Sequence, residues 1–240
     1  MLDVHPPHEA AHSWKDFFIH MVTICLGLLI AIGLEQSVEW LHHRHELKEL
    51  QESLRRDTEK QVGDALHYET VSTFEMANSE ARMQQAAEAL RTHQPIAQPR
   101  VIGSPPAEQA VLPVDPAWKA ATASGLLALA PQQDVVAYSE IDGIVGKIDV
   151  GLDRASQANR KLREFEKEAA MVGGPAEQAL AKATPEELKT YMVDLDEMIS
   201  AFDRLRGECR VLRGADRAVL SGERDLAKIE AAEMQFLHEP

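Results

Sequence analysis

Residues 17–34 read FFIHMVTICLGLLIAIGL, eighteen positions with no formal charge and one polar ring, His20. As an α-helix the run is about 27 Å long, close to the thickness of a bilayer's hydrocarbon core. Trp14 and Trp40 lie just outside it on either side, where an amphipathic indole is best placed at the headgroups, and they bracket about 39 Å of helix. A secretory signal would have a shorter apolar region and a small-residue cleavage site. This run instead passes directly into Glu35-Gln36-Ser37 and a charged segment. The expectation is a retained membrane-spanning helix over 17–40 behind a His-rich tail over 1–16.

The rest of the chain is of another kind. With 45% hydrophobic residues among 240, wholesale disorder is excluded. Beyond Trp40 there are 24 Lys or Arg against 34 Asp or Glu, so the soluble part is acidic and ill-suited to nucleic acid. Cys25 in the span and Cys209 far along the chain cannot plausibly pair, and no disulfide framework or metal knuckle is present.

From Glu35 to His93 there is no proline, and Leu47, Leu50 and Leu54 recur at helical spacing, which predicts a stalk helix over 41–94 continuing the span. Gly63 invites a bend, after which Val62, Leu66, Phe74, Ala77 and Ala81 form the expected apolar stripe. Six prolines from Pro95 to Pro116 inclusive block regular structure, so 95–116 reads as an extended connection that either wraps across helices or is mobile. A helix of about fourteen residues is expected from Pro116, carrying Trp118 and turning at Ser124-Gly125 or at Pro131.

Two seams then follow. From near Asp134 a three-four repeat runs Tyr138, Ile141, Val145, Ile148, Leu152, Ala155, Asn159 and Leu162 until Gly173-Gly174-Pro175 stops it. The last helix starts at Thr184 as N-cap, with Pro185 at the first helical position and Glu187 three residues on, a capping-box pattern. Its seam is Leu188, Tyr191, Leu195, Met198, Phe202, Leu205, Cys209 and Leu212. The same register then meets Asp216, Glu223, Glu230 and Glu233, so the seam is expected to weaken and the final turns to fray or meet a polar partner. No stretch alternates as a strand. The fold class is all-α: one N-terminal transmembrane helix extending into a stalk, then an antiparallel helical bundle over 117–240 that packs on the stalk.

Candidate chemistry is sparse. His8-Glu9-Ala10-Ala11-His12 matches H-E-x-x-H, in which two histidines hold zinc and the glutamate acts as base. A catalytic zinc also needs a third ligand and a dry pocket, which a sixteen-residue tail beside a bilayer does not offer. His42, His43, His45, Glu46 and Glu49 form a polar collar where the helix leaves the headgroups. In it His42, His45 and Glu46 are weak metal candidates, and protonated imidazoles would meet lipid phosphates. Within the span Thr23, Gly27, Ala31 and Glu35 repeat every four residues, a shallow groove that lets a second helix approach closely, and His20 roughly follows that face. Cys209, at a seam position, reads as a small buried hydrophobe, and Trp118, Tyr138, Tyr191 and Phe202 read as core. There is no nucleophile elbow, phosphate-binding glycine loop or paired C-x-x-C, so no enzyme, cofactor or confident metal site is expected.

The opening VHPPHEAAHSWKDFF, the core GLLIAIGLEQSVEW and the following HHRHELKELQESLRRDTEK resemble a group of bacterial inner-membrane proteins of uncharacterised activity. In that group a His-rich tail and a tryptophan precede one span, and a charged helix of pattern R-x-x-E-x-x-x-L-x-x-L-x-x-D follows. The likeness covers the first sixty residues well and continues loosely through Trp118 and Ser124-Gly125-Leu126. It implies an inner-membrane, single-pass protein whose main domain is periplasmic, because those relatives carry several lysines before the tryptophan. Here only Lys15 stands there, while Arg44, Lys48, Arg55 and Arg56 follow the span, and that count by itself points to the cytoplasm.

The expected function is a non-enzymatic, membrane-anchored interaction or accessory protein that self-assembles or joins other membrane-protein subunits. The alternative is a periplasmic ligand-sensing bundle that signals through a partner, since the sixteen residues before the span hold no output domain. A metal-dependent enzyme using the tail histidines is the third reading.

Overall fold

The structure is a computed structural model describing residues 14–96, 98–104, 106, 112–171 and 180–237, with the backbone alone for 166–171. Among the described residues it is all-helical. Helix α1 covers Trp14–Thr92, α2 Pro116–Ser124, α3 Gln132–Met171, α4 Pro185–Leu220 and α5 Leu226–Leu237, with a 3-10 turn at Leu126–Leu129. The chain divides into two compact units, residues 1–49 and 50–240.

In the first unit every residue from 17 to 34 is exposed, and α1 carries a window long and apolar enough to cross a membrane. Leu26, Leu29 and Leu34 keep 57%, 67% and 64% of their surface open. In water so long an apolar cylinder would drive aggregation, whereas in hydrocarbon it is the surface the solvent prefers. The hydroxyls are paired as hydrocarbon requires: Thr23 donates to the Ile19 carbonyl at 2.8 Å and Ser37 to the Gly33 carbonyl at 2.7 Å. At the tail end of the run Trp14 stacks on Phe17 and meets Phe18 edge-on.

In the second unit α1 passes through Gly63 without a break. An added Cβ there would meet nothing within 4 Å, so the glycine faces open space and its cost of about 1 kcal/mol is offset by packing on the opposite face. Because no bend resets the register, the spacing set by Leu50 and Leu54 continues through Thr58, Gln61, Ala65, Tyr68, Ser72, Ser79 and Ala86, all buried. The stripe expected over Val62, Leu66, Phe74, Ala77 and Ala81 is therefore corrected. Of these only Ala81 is buried, and Leu66 is 49% exposed.

The Pro-rich connection retraces α1. Its main chain cannot form helix, so its polar groups are taken up by amides and carboxylates on α1. The Gln85 side chain bridges the Gln98 carbonyl and the Arg100 N–H, each at 2.8 Å. Asn78 accepts from the Ile102 N–H at 2.7 Å and donates back to the Ile102 carbonyl at 3.3 Å. Gln61 donates to the Val114 carbonyl at 3.0 Å, and Asp57 accepts from the Ala117 N–H at 2.8 Å, at the start of α2. That helix is shorter than expected, nine residues, because Gly125 takes a left-handed φ of 78° and opens the 3-10 turn.

All eight seam residues of α4, Leu188 through Leu212, are buried. On α3, Tyr138, Ile141, Val145, Ile148, Ala155 and Leu162 are buried, while Leu152 and Asn159 are half-buried. Residue numbers rise along α3 as they fall along α4: Asp134 meets Arg224 just beyond α4, Gly151 lies on Leu205, Lys161 pairs with Glu197, and Phe165 stacks on Tyr191. Full burial of each leucine contributes about 1.5–3 kcal/mol, so these two seams supply much of the driving force.

The start of α4 is the expected capping box. Thr184 Oγ1 accepts from the Glu187 N–H at 3.3 Å, and the Glu187 carboxylate accepts from the Thr184 N–H at 2.7 Å. The Thr184 N–H, and its hydroxyl donating at 2.8 Å, hold the exposed Glu187 carboxyl below its ordinary pKa. Thr184→Ala is expected to cost about 1 kcal/mol, read as a lower urea midpoint with unchanged m.

The C-terminus departs from expectation. The seam does not weaken at Asp216, which is fully buried, and the helix continues to Leu220 with Val219 buried. Instead Ser221–Asp225 forms a turn with Gly222 at φ 96°, and α5 folds back on α4. Gly214 makes this possible. An added Cβ there would stand 2.8 Å from the Ala232 carbonyl oxygen and 2.8 Å from Glu233 Cα, so the two helix backbones are in direct contact.

Candidate functional site

In the first unit Thr23, Gly27, Ala31 and Glu35 all lie exposed at helical four-residue spacing. Nothing stands within 4 Å of a Cβ added at Gly27, so this face is open to a close-packed helix. His20 is exposed one turn earlier.

The collar resolves into two separate pairs. His42 Nε2 lies 3.2 Å from Glu46 Oε1, and His45 Nε2 lies 3.2 Å from Glu49 Oε1, both one turn apart along the helix. His42, His45 and Glu46 are thus not gathered round one point. Among the described residues no group of three or more His, Cys, Asp and Glu side chains is placed to hold a metal ion. His8 and His12 lie outside the described residues. Arg44 stacks over Trp40 at 5.3 Å, fixing an aromatic and a cation at the same level of the helix.

The second unit holds the ionisable groups that periodicity alone does not reveal. Glu69, almost fully buried, accepts from Arg213 Nη1 at 2.5 Å with Arg210 Nε at 3.5 Å, and the Arg213 and Arg217 guanidinium groups lie over the Phe236 ring. This network joins α1, α4 and α5. Beside it sits Cys209, fully buried in the seam, and burial pushes its thiol up to about 12. Both cysteines are free.

Where the connection meets α3, Asp115 pairs with Lys119 at 2.8 Å. Asp142 has its pKa raised by a hydrogen bond to Asp115 and by burial, with the Trp118 indole opposing the shift. The hydrogen bond between the two side chains ties the start of α2 to α3. Asp216 is a different case. Both of its oxygens are buried without a hydrogen-bond partner among the described residues, and desolvation raises its pKa far above the carboxylate range. Burial raises the pKa of the neighbouring Tyr138 phenol, with Arg224 opposing the shift. The cation over that ring, Arg224, is committed to Asp134 at 2.5 Å and to the Val219 and Glu223 carbonyls.

On the outer surface a groove of about 350 Å³ lies between α3 and α4, lined by Arg154, Gln157, Lys161, Glu197, Ser200 and Arg204 among others. Lys161 and Glu197 bridge it. Its charges are of both signs, and no histidine or cysteine lines it to activate a nucleophile. Compared with family models, curated proteins and solved structures, the chain matches none.

Proposed function

We propose that this chain is a non-enzymatic, single-pass membrane protein of the bacterial inner membrane, whose acidic, antiparallel helical bundle is displayed in the periplasm as an interaction module. The observation that carries the reading is the contrast along α1. Its first part is apolar and open on all sides from 17 to 34, whereas from Leu50 onward the same helix is packed into a core. Hydrocarbon for one part and protein for the other is the arrangement that satisfies both surfaces. The opposed running of α3 and α4 and the retracing connection support the antiparallel bundle, and the sequence likeness supports the periplasmic side.

Assembly, with itself or with other membrane-protein subunits, is assigned to the face of Thr23, Gly27, Ala31 and Glu35. Gly27→Ile fills that groove while keeping the span apolar, and is expected to convert the oligomer to monomer in detergent, measured by light scattering. An unchanged mass would move the assembly surface elsewhere. Topology is tested with Ser104→Cys, in the exposed connection, on a background lacking Cys25 and Cys209. A membrane-impermeant maleimide is expected to label it in whole cells. Labelling only after lysis would place the bundle in the cytoplasm, as the Lys and Arg count after the span suggests.

A further inference from the structure

We propose that α5 is a proton-operated latch, docked on α4 and α3 while the Glu233 carboxyl carries its proton and released when that carboxyl ionises.

Three features of the junction build the device. The first is how little holds α5. It is a twelve-residue helix whose fully buried side chain is Ile229, supported by the Phe236 ring under Arg213 and Arg217. A helix this short is marginal alone, so undocking also melts it, and the contact is weak enough for one charge to tip. The second is the position of Glu233. Its Cα lies on the Gly214 backbone of α4, where α5 comes closest, and its Oε1 is buried with no hydrogen-bond partner among the described residues. The third is the hinge, Ser221–Asp225, with Gly222 at a φ that leaves it free to reorient.

The charges around Glu233 make its ionisation unfavourable in the docked state. From α3 it faces Glu140 and Lys147, and on α5 itself it faces Glu230, two like charges against one opposite. On α4 the arginines turned toward α5 are occupied at the Phe236 ring, and Arg213 also binds Glu69. Burial, then Glu140 and Glu230, push the Glu233 carboxyl up to about 7. Docking is therefore fully favoured below the ordinary glutamate range and is lost as pH rises through about 7. The hinge does not share this titration. Glu223 accepts from the Arg224 and Asp225 N–H groups, each at 2.9 Å, and pairs with Lys228, which holds its carboxyl down to about 2. Across the neutral range Glu223 stays ionised, so the hydrogen bonds of the turn do not titrate with the latch.

The test is amide hydrogen exchange on the full chain in detergent, corrected for the intrinsic pH dependence of exchange, comparing residues 227–237 with the α3 segment around Ile144–Ile148. Since Glu233 is only partly buried, solvent screening reduces the full effect. Protection of α5 is expected to fall about tenfold further than that of α3 between about pH 5.5 and about pH 8. Glu233→Gln, neutral and nearly isosteric, is expected to keep α5 protected at both pH values, and Glu140→Gln to shrink the wild-type fall. Protection of α5 that does not change with pH in the wild type overturns the proposal. So does an equal fall in the Glu233→Gln variant, which would assign the titration to other groups.

Discussion

At about pH 5, where α5 is docked, replacing Gly214 by valine is expected to force α5 off α4 and to lower the stability of the second unit by about 3 kcal/mol or more. A Cβ alone would come within 2.8 Å of two backbone atoms of α5, the Ala232 carbonyl oxygen and Glu233 Cα. Contacts that short with a flexible side chain could be relieved by rotation, but these atoms belong to a hydrogen-bonded helix and move only if the whole element moves. Valine adds two methyls to the same place. If α5 shifts outward as a body, Ile229 leaves its fully buried site and the Phe236 ring leaves the Arg213 and Arg217 guanidinium groups. For a unit of this size each kcal/mol corresponds to roughly 2–4 °C in melting temperature, so calorimetry should register a fall of about 6–12 °C. Gly207 is a useful contrast on the same face. Its nearest contact is the end of the Leu237 side chain at 3.6 Å, so Gly207→Ala is expected to be almost neutral. If the valine variant melts where the wild type does, the close approach of α4 and α5 is not a feature of the folded protein.

That contact also marks where reading by periodicity fails. Seams of large apolar residues are legible: Leu188 through Leu212 on α4 and most of Tyr138 through Leu162 on α3 are buried, because an unbroken three-four repeat of leucine and isoleucine has no other low-energy destination. Helix ends written in side-chain chemistry, Thr184-Pro185 with Glu187 and Gly125, are legible for the same reason. The inward face of α1 is not. There Thr58, Gln61, Ser72 and Ser79 occupy core positions, since the partner along part of that face is an extended main chain that must be hydrogen-bonded as well as covered. Val62 and Leu66 drew attention away from them. Yet carrying the Leu50 and Leu54 register past Gly63 would have found the buried face, because Gly63 costs the helix too little to interrupt it.

The same holds for the ionisable groups. The register from Leu212 lands on Asp216, and a carboxylate at that point reads naturally as the end of a core. It is the end only if nothing folds back, and the return of α5 is governed by Gly214 and Gly222, whose role lies in an interhelix distance and a dihedral angle. Motifs with a strong textual pattern, by contrast, carry little here. The collar histidines each find a glutamate one turn away and stay separate, as exposed helix-surface pairs do.

Asp216 sets the final expectation: stability of the second unit peaks on the acid side, at about pH 4, and declines toward pH 8. The sign follows from which form is buried. Asp216 and Glu233 both have folded-state pKa values raised above the unfolded ones, so their contribution is complete below the ordinary carboxylate range and is lost as pH rises through the folded values. Glu187 and Glu223 act in the opposite sense. Their carboxyls are held low by backbone hydrogen bonds, so what they contribute is lost as pH falls, which closes the acid side of the maximum. The second unit's 22 Lys or Arg against 32 Asp or Glu add self-repulsion at neutral pH that acid relieves. Asp216→Asn separates the buried site from this background, because the amide keeps the shape and cannot ionise. It is expected to raise the unfolding free energy by about 1–3 kcal/mol at about pH 8, and to change it by less than about 0.5 kcal/mol at about pH 3.5, where the carboxyl is neutral in the folded and the unfolded chain alike. Urea titrations at both pH values check this. Equal effects at the two would mean that burial does not hold the Asp216 pKa above its unfolded value. A loss of stability at pH 8 would mean that the ionised carboxylate has a partner in solution, most simply water entering beside Tyr138.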